Sequence, residues 1–305
     1  MNNSLIKNND DIKFSSDDDD DETDEQQKII NSEIQIRLQE NSESILRTFK
    51  EFLSTPEFIN TVGDPTTNII DRFIKKCYNI PDRKISKFFK FLEIARRKSL
   101  KIMMNEKQLE YSGIMLDFDI KLEHGGQSGI NHTHYHRLCI AVIKLLLKYL
   151  HFPETELGEK KDIYVGFTKK PKLTYNNEDN YYKDGIHMLI PGIQITREFK
   201  KLIINTLIEE ETLEKVFREI TPLKSMTRSE FLDINSAHVP TFFIGSATKL
   251  NTPPYVLAEI YKVQVTIGEL DDIIPVRDPN FISNNTNVCY EFSLNWSKNL
   301  DKGGI

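Results

Sequence analysis

The stretch "IMLDFDI", Ile114 to Ile120, sets the terms on which the rest of the chain is read. Side chains alternate across a strand, so Asp117 and Asp119 share one face while Phe118 and Ile120 share the other. Along the strand the two carboxylates stand roughly 6.6 Å apart, and at an effective dielectric of about 20 they repel by about 2.5 kcal/mol. A divalent cation between them reverses that sign, and an oxygen-only donor set suits Mg²⁺ or Mn²⁺. On an exposed edge the same pair would simply be solvated. What separates this pair from that case is the apolar "GIML" that enters it, which reads as a strand emerging from a core, and the Gly125-Gly126 turn that follows.

A second run repeats the arrangement with an imidazole. In "KDGIHMLIP", Lys183 to Pro191, His187 shares a face with Gly185, whose small size leaves room for a ligand, while Ile186 and Met188 share the other face. Standing alone, such a histidine is more often a satisfied core residue. A third segment, Glu230 to Leu250, brings Asp233 after the apolar Phe231 and Leu232, then Gly245-Ser246 and Lys249. Glycine admits backbone N–H groups close to a phosphate and lysine supplies a point charge, although a lone Gly-Ser…Lys is also an ordinary turn.

In that order the three motifs, "YSGIMLDFDIKL", "KDGIHMLIPGIQI" and "SAHVPTFFIGSATKLNTPPYVL", resemble the catalytic core of the archaeo-eukaryotic primase superfamily. More narrowly, they look like the primase region at the N-terminus of poxvirus- and asfarvirus-type helicase-primases of large DNA viruses. The resemblance runs from about Asn68 to Ile267. It implies that Asp117, Asp119 and Asp233 hold divalent metal, Mg²⁺ or Mn²⁺, as the catalytic acids. It further implies that His187 contacts the phosphates of the incoming nucleotide and that Ser246 and Lys249 lie near that nucleotide.

The implied activity is a primase-type nucleotidyl transfer by two-metal catalysis, with nucleoside triphosphates as substrates and single-stranded DNA as template. The implied setting is viral DNA replication in the cytoplasm of an infected host, beside a helicase subunit or domain. Such regions usually continue into a helicase with a phosphate-binding loop, and no Gly-x-x-x-x-Gly-Lys-Ser/Thr occurs in these 305 residues. The expectation is therefore a split or excerpted primase half, or a stand-alone copy. Two rivals stay open: a noncatalytic DNA-binding scaffold, and a glycosyltransferase that uses Asp-x-Asp for a nucleotide sugar.

The formal charge of −6 is unevenly spread. Residues 1–25 hold ten acids against Lys7 and Lys13, a local charge of −8, so the remainder carries +2. The leading segment cannot bury enough apolar surface to offset its ordering entropy. The expected organisation is a disordered acidic tail over 1–41 and a catalytic domain over 42–305. Within the latter come a helical lead-in to about 108, a motif-bearing core over about 109–268 and an extension over 269–305. No apolar run approaches a membrane span and no signal-peptide layout opens the chain, so neither membrane nor secretion is expected. Cys77, Cys139 and Cys289 are too scattered for a disulfide framework or zinc knuckle.

The expected fold class is α+β (mixed α/β), a central sheet flanked by helices. Amphipathic stripes predict helices over Ser42–Leu53 and Ile85–Ala95, the latter with a basic outer series from Lys84 to Lys101. His132, His134 and His136 open an apolar helix over Leu138–Leu150, with no carboxylate or cysteine pair to complete a zinc set. Strands are expected over Asp162–Thr168, Val239–Ile244 and Tyr255–Ile267, with a polar loop to Tyr182. A long helix capped by Thr196 is expected to run to about Ile220 and to turn Phe199, Leu202, Ile203 and Leu207 inward.

Overall fold

Two antiparallel sheets, each backed by helices, make up the fold. The structure is a computed structural model, and it describes residues 41–123, 129–220, 226–247, 253–285 and 287–297. The acidic tail, the Gly125-Gly126 turn and Lys249 lie outside the described residues. Phe49–Ile305 forms one compact unit and Met1–Thr48 another, of which residues 41–48 are described and belong to the helix α1 over residues 41–53.

The smaller sheet is built from strands of two or three residues: β1 (Ile59–Asn60), β2 (Ile69–Asp71), β3 (Lys76–Tyr78), β4 (Met104–Glu106) and β9 (Thr241–Phe242), in the order β1-β3-β2-β4-β9. Such short strands carry too few alternations to be read from sequence, so the single central sheet expected from the motifs becomes two. The helix Asp82–Arg97 (α2) covers this sheet with Phe88, Phe89 and Leu92, all fully buried. The rings of Phe88 and Phe89 each lie 5.7 Å from that of Phe243. Its basic series is partly spent within the helix, since Arg96 and Arg97 both reach Glu93, at 2.6 and 2.8 Å.

The larger sheet has the order β11-β10-β6-β8-β5, with β5 (Tyr111–Leu122), β6 (Lys160–Lys169), β8 (Tyr181–Thr196), β10 (Val256–Thr266) and β11 (Ile273–Arg277). The polar loop predicted before Tyr182 instead contains β7 (Thr174–Asn176), which folds back on β8 as a hairpin. One face of the sheet is dry. Phe118, Ile120, Ile186 and Met188 point into a core shared with Leu138, Val142 and Leu146 of α3 (His132–Tyr149) and Ile203 and Leu207 of α4 (Arg197–Glu209). Each such fully buried side chain contributes about 1.5–3 kcal/mol.

Two local readings change. The three histidines belong to the first turns of α3, where residues two apart do not share a face. His134 Nδ1 accepts from Asn131 N at 3.2 Å, closing a capping box. Thr196 does cap α4, accepting from Phe199 N at 3.2 Å, but the helix stops at Glu209 and the short α5 (Thr212–Val216) follows. Glu211 takes a left-handed conformation at φ 54°, and three consecutive glutamates close the helix, where the negative end of its dipole disfavours further acids. Leu202, expected to face inward, lies on the outer side of α4 and is 45% exposed.

The segment after Gly268, chemically quiet in sequence, ties the two sheets. Glu106 of β4 accepts from Ser293 Oγ at 2.7 Å, Leu294 N at 2.9 Å and Asn295 N at 2.8 Å, while Leu294 O accepts from Gly113 N of β5 at 2.7 Å. Among the described residues no helix is long and apolar enough to cross a membrane, and the three cysteines are free and buried.

Candidate active site

The wet face of the larger sheet gathers the charged residues. β5 is its edge strand and pairs with β8 in a register that sets Asp117 opposite His187, Asp119 opposite Gly185 and Lys121 opposite Lys183. Because Phe118 and Ile186 are committed to the core, alternation leaves these residues on the open side. His187 Nε2 lies 3.4 Å from Asp117 Oδ1, and Lys183 Nζ lies 2.5 Å from Asp119 Oδ2. A Cβ at Gly185 would sit 2.7 Å from Asp119 Oδ1, so the glycine makes room for the carboxylate. Gly185→Ala is expected to push Asp119 off Lys183 and lower any activity of the site by about tenfold or more, with little change in melting temperature. An unchanged rate would show that Asp119 need not occupy this position.

Asp233 arrives from a separate element. Following α6 (Arg228–Phe231), Leu232 bridges Phe118 and Asp233 N donates to Asp117 O at 3.0 Å, so this segment lines the open edge of β5. Its carboxylate Oδ1 accepts from Asn235 N at 2.9 Å and Asn235 Nδ2 at 3.0 Å, capping the 3₁₀ turn Ile234–Ala237. The three acids predicted from sequence are thus neighbours, together with His187. Ser246 is not among them: it is fully buried and its Oγ accepts from Met104 N at 3.2 Å.

Desolvation dominates the electrostatics. It pushes the Asp117 carboxyl up to about 6, with Lys183 and Lys170 opposing and Asp233 reinforcing the shift. Asp119 is also raised, first by burial and then by Asp117. Burial lowers His187 to about 4 against the pull of Asp119, so the imidazole is neutral near pH 7 and its approach to Asp117 is a polar contact, not an ion pair. Lys183 is held above the ordinary lysine range: burial opposes its charge, but Asp119 outweighs burial.

Several contributors escaped the sequence reading. Tyr255 lies with its ring 4.1 Å from that of His187, tilted 25°. Gly245 N donates to Tyr255 O at 2.9 Å, and Tyr255 N donates to Ser246 O at 3.2 Å, so the Gly-Ser step holds this tyrosine by its backbone. Lys170, Lys172, Thr174 and Lys183 line a small cleft with Gly185 and Tyr255. Lys183 was legible, since it lies two and four residues before Gly185 and His187 on the same strand face. The others come from separate elements, and nothing in their local sequence singles them out.

Among the described residues no three His, Cys, Asp or Glu side chains are grouped to hold one ion. Asp119 Oδ2 faces Lys183 and Asp233 Oδ1 faces Asn235.

Residues 67–261 match the profile of the C962R protein N-terminal AEP domain. The chain is 32% identical over 221 residues to "Putative primase C962R" of African swine fever virus (isolate Tick/Malawi/Lil 20-1/1983), covering 72% of this chain and 21% of that protein. Against the protein of the same name in isolate Warthog/Namibia/Wart80/1980 it is 31% identical over 238 residues, 78% of this chain and 23% of the other. Against "Putative helicase L207/L206" of Acanthamoeba polyphaga mimivirus it is 28% identical over 228 residues, 72% of this chain and 22% of the other. The chain therefore spans about a fifth of the length of the curated relatives it matches.

Proposed function

The chain belongs to the C962R protein N-terminal AEP domain family, and on that premise we propose that it is a primase-type nucleotidyltransferase that makes or extends short primers on single-stranded DNA. The observation that carries this reading is the juxtaposition of Asp117 and Asp119 with His187 across one strand pair, and with Asp233 bonded to the backbone of Asp117. The polymerising step joins the 3′-hydroxyl of a primer or first nucleotide to the α-phosphate of a nucleoside triphosphate, with pyrophosphate leaving.

The donor set fits Mg²⁺ or Mn²⁺ by kind: three carboxylates and no thiolate, with burial making the charge of Asp117 costly and Asp233 adding to that cost against the pull of Lys183 and Lys170. Asp117, Asp119 and Asp233 would hold the cations once Asp119 releases Lys183 and Asp233 releases Asn235. Bound there, divalent ions supply charge neutralisation and polarisation of the reacting oxygens. The protein's own groups do the rest. Lys183, freed from Asp119, meets the triphosphate together with Lys170 and Lys172, and the neutral His187 donates its Nε2–H to a phosphate oxygen. Ser246 takes a positioning role, holding Tyr255 against His187 through its backbone. Lys249 is kept as a nucleotide contact from the sequence pattern.

Protonation competes with metal for Asp117. The ligand form is the ionised one, so affinity for Mn²⁺ is expected to hold above pH 6 and to fall by up to about tenfold per unit below it. Titration of Mn²⁺ by electron paramagnetic resonance from pH 7.5 down to 5 checks this, and a flat profile would remove Asp117 from the ligand set.

The direct test of function incubates the purified chain with single-stranded DNA, labelled nucleotides and Mg²⁺ or Mn²⁺. New short oligomers are expected, and their absence at every metal and nucleotide tried would overturn the proposal. One observation favours a second reading: Lys183 and Asn235 already occupy two of the three acids, as in a noncatalytic strand-binding scaffold. Single-strand binding without metal-dependent synthesis would select it. A separate helicase subunit or domain is the partner proposed, supported by the mimivirus relative's name, and viral DNA replication in the infected cell is the setting proposed.

A further inference from the structure

A row of flat groups leads away from the carboxylates toward the smaller sheet. His187 and Tyr255 are 4.1 Å apart between ring centroids. Tyr255 and Phe242 of β9 are 6.4 Å apart with ring planes 21° from parallel. The Arg72 guanidinium carbon stands 5.9 Å from the Phe242 centroid. Arg72 begins the tip of the β2–β3 hairpin, and the next two residues, Phe73 and Ile74, are 58% and 45% exposed. Lys75 and Lys76, also exposed, follow them.

The tip is a defined turn. Asp71 Oδ1 accepts from Phe73 N at 2.8 Å and Ile74 N at 3.2 Å, and Lys75 takes φ 55°. Asp71 Oδ1 fixes the turn by accepting from these backbone N–H groups, and Arg72, Lys75 and Lys76 outnumber its charge and leave the tip net positive. An ordered turn that holds an aromatic and an aliphatic side chain in water between three cations has a chemical complement: unpaired nucleobases for the apolar faces and phosphates for the charges. A duplex keeps its base faces stacked inside, so it offers only the phosphates.

We infer that the β2–β3 hairpin tip, with the exposed Arg72 and the half-buried Phe242 inward of it, forms the path along which an unpaired nucleic-acid strand reaches the carboxylates, while the buried Tyr255 and His187 back that path from within. This rests on the polymerising reading for where the strand leads, but strand binding is measured without metal or nucleotide and so stands or falls separately. Phe73 and Ile74 touch bases, Lys75 and Lys76 touch phosphates, and Arg72 and Phe242 continue the stack inward.

The test measures anisotropy of a fluorescein-labelled single strand and of its duplex with the full chain, comparing wild type with Phe73→Ala/Ile74→Ala, Phe73→Trp and Lys75→Gln/Lys76→Gln. Both hairpin-tip residues are exposed, and melting temperatures verify that each variant folds. The alanine pair is expected to weaken single-strand binding about tenfold with little effect on duplex, and Phe73→Trp to retain it. The glutamine pair is expected to lower the salt slope by about 0.7 for each phosphate that is no longer neutralised. Wild-type affinity in the alanine pair, equal losses on single strand and duplex, no strand binding by the wild type, or a hairpin that instead captures a protein would each overturn the path. A chain that synthesises primers while the alanine pair binds strand normally loses the path and keeps the proposed function. A chain that binds strand through the hairpin but incorporates nothing keeps the path and loses the catalytic reading.

Discussion

Asp117→Asn is expected to cut metal-dependent nucleotide incorporation by about 10³-fold or more while leaving the fold as stable as the wild type or more so. The loss follows from removing a charged oxygen at the centre of the acidic group, where residues acting as a unit give single-site losses nearly as large as multiple ones. The double variant Asp117→Ala/Asp119→Ala is accordingly expected to be no worse than about tenfold beyond it. The stability follows from the sign of the proton linkage. Folding raises the Asp117 carboxyl from 3.8 to about 6, so the native state binds this proton more tightly than the unfolded chain does. Its ionised form therefore opposes folding above that range, and stability from this group is recovered as pH falls from about 6 toward 3.8. An amide of the same shape carries no charge to desolvate. Activity retained in Asp117→Asn, or a fall in melting temperature at pH 7, would contradict this role for the carboxylate.

Phe118→Ala tests the opposite face of the same strand. The ring is fully buried between the two acids in sequence and lies 6.1 Å from the Phe217 ring; its backbone bridges Leu232. Truncation leaves a cavity under β5 and is expected to destabilise the unit by about 3–5 kcal/mol, a fall of roughly 10 °C for a domain of this size. Because Leu232 delivers Asp233, Mn²⁺ affinity should drop at temperatures where the variant is still folded. Chemical denaturation and metal titration on one preparation read both effects, and a loss below about 1 kcal/mol would mean that β5 is not packed as described.

The sequence carried the parts of the site that follow from alternation within one strand. Asp117, Asp119, Gly185 and His187 fall on the wet face because Phe118 and Ile186 must be dry, and Asp233 was recognisable by its apolar lead-in and by motif order. The pairing of Asp117 with His187 was not legible, because register is set by the whole of β5 and β8 and by a bulge beside Gly113. Tyr255, Lys170 and Phe242 contribute through stacking and charge from three different elements, which no local pattern encodes. The short strands of the smaller sheet and β7 offered too little periodicity to read. Ser246 was legible as a turn residue, yet its hydroxyl is taken by the backbone of β4, a partner more than a hundred residues away in sequence.

Asp117, Asp119 and Asp233 are proposed to hold divalent cations beside a neutral His187. Electron paramagnetic resonance of Mn²⁺ titrated into the purified chain, with and without a nucleoside triphosphate, tests it without requiring turnover. Saturable binding is predicted, tightening with nucleotide, lost in Asp117→Asn and weakened in Asp233→Asn. Mn²⁺ binding of equal strength in the wild type and both variants would contradict it.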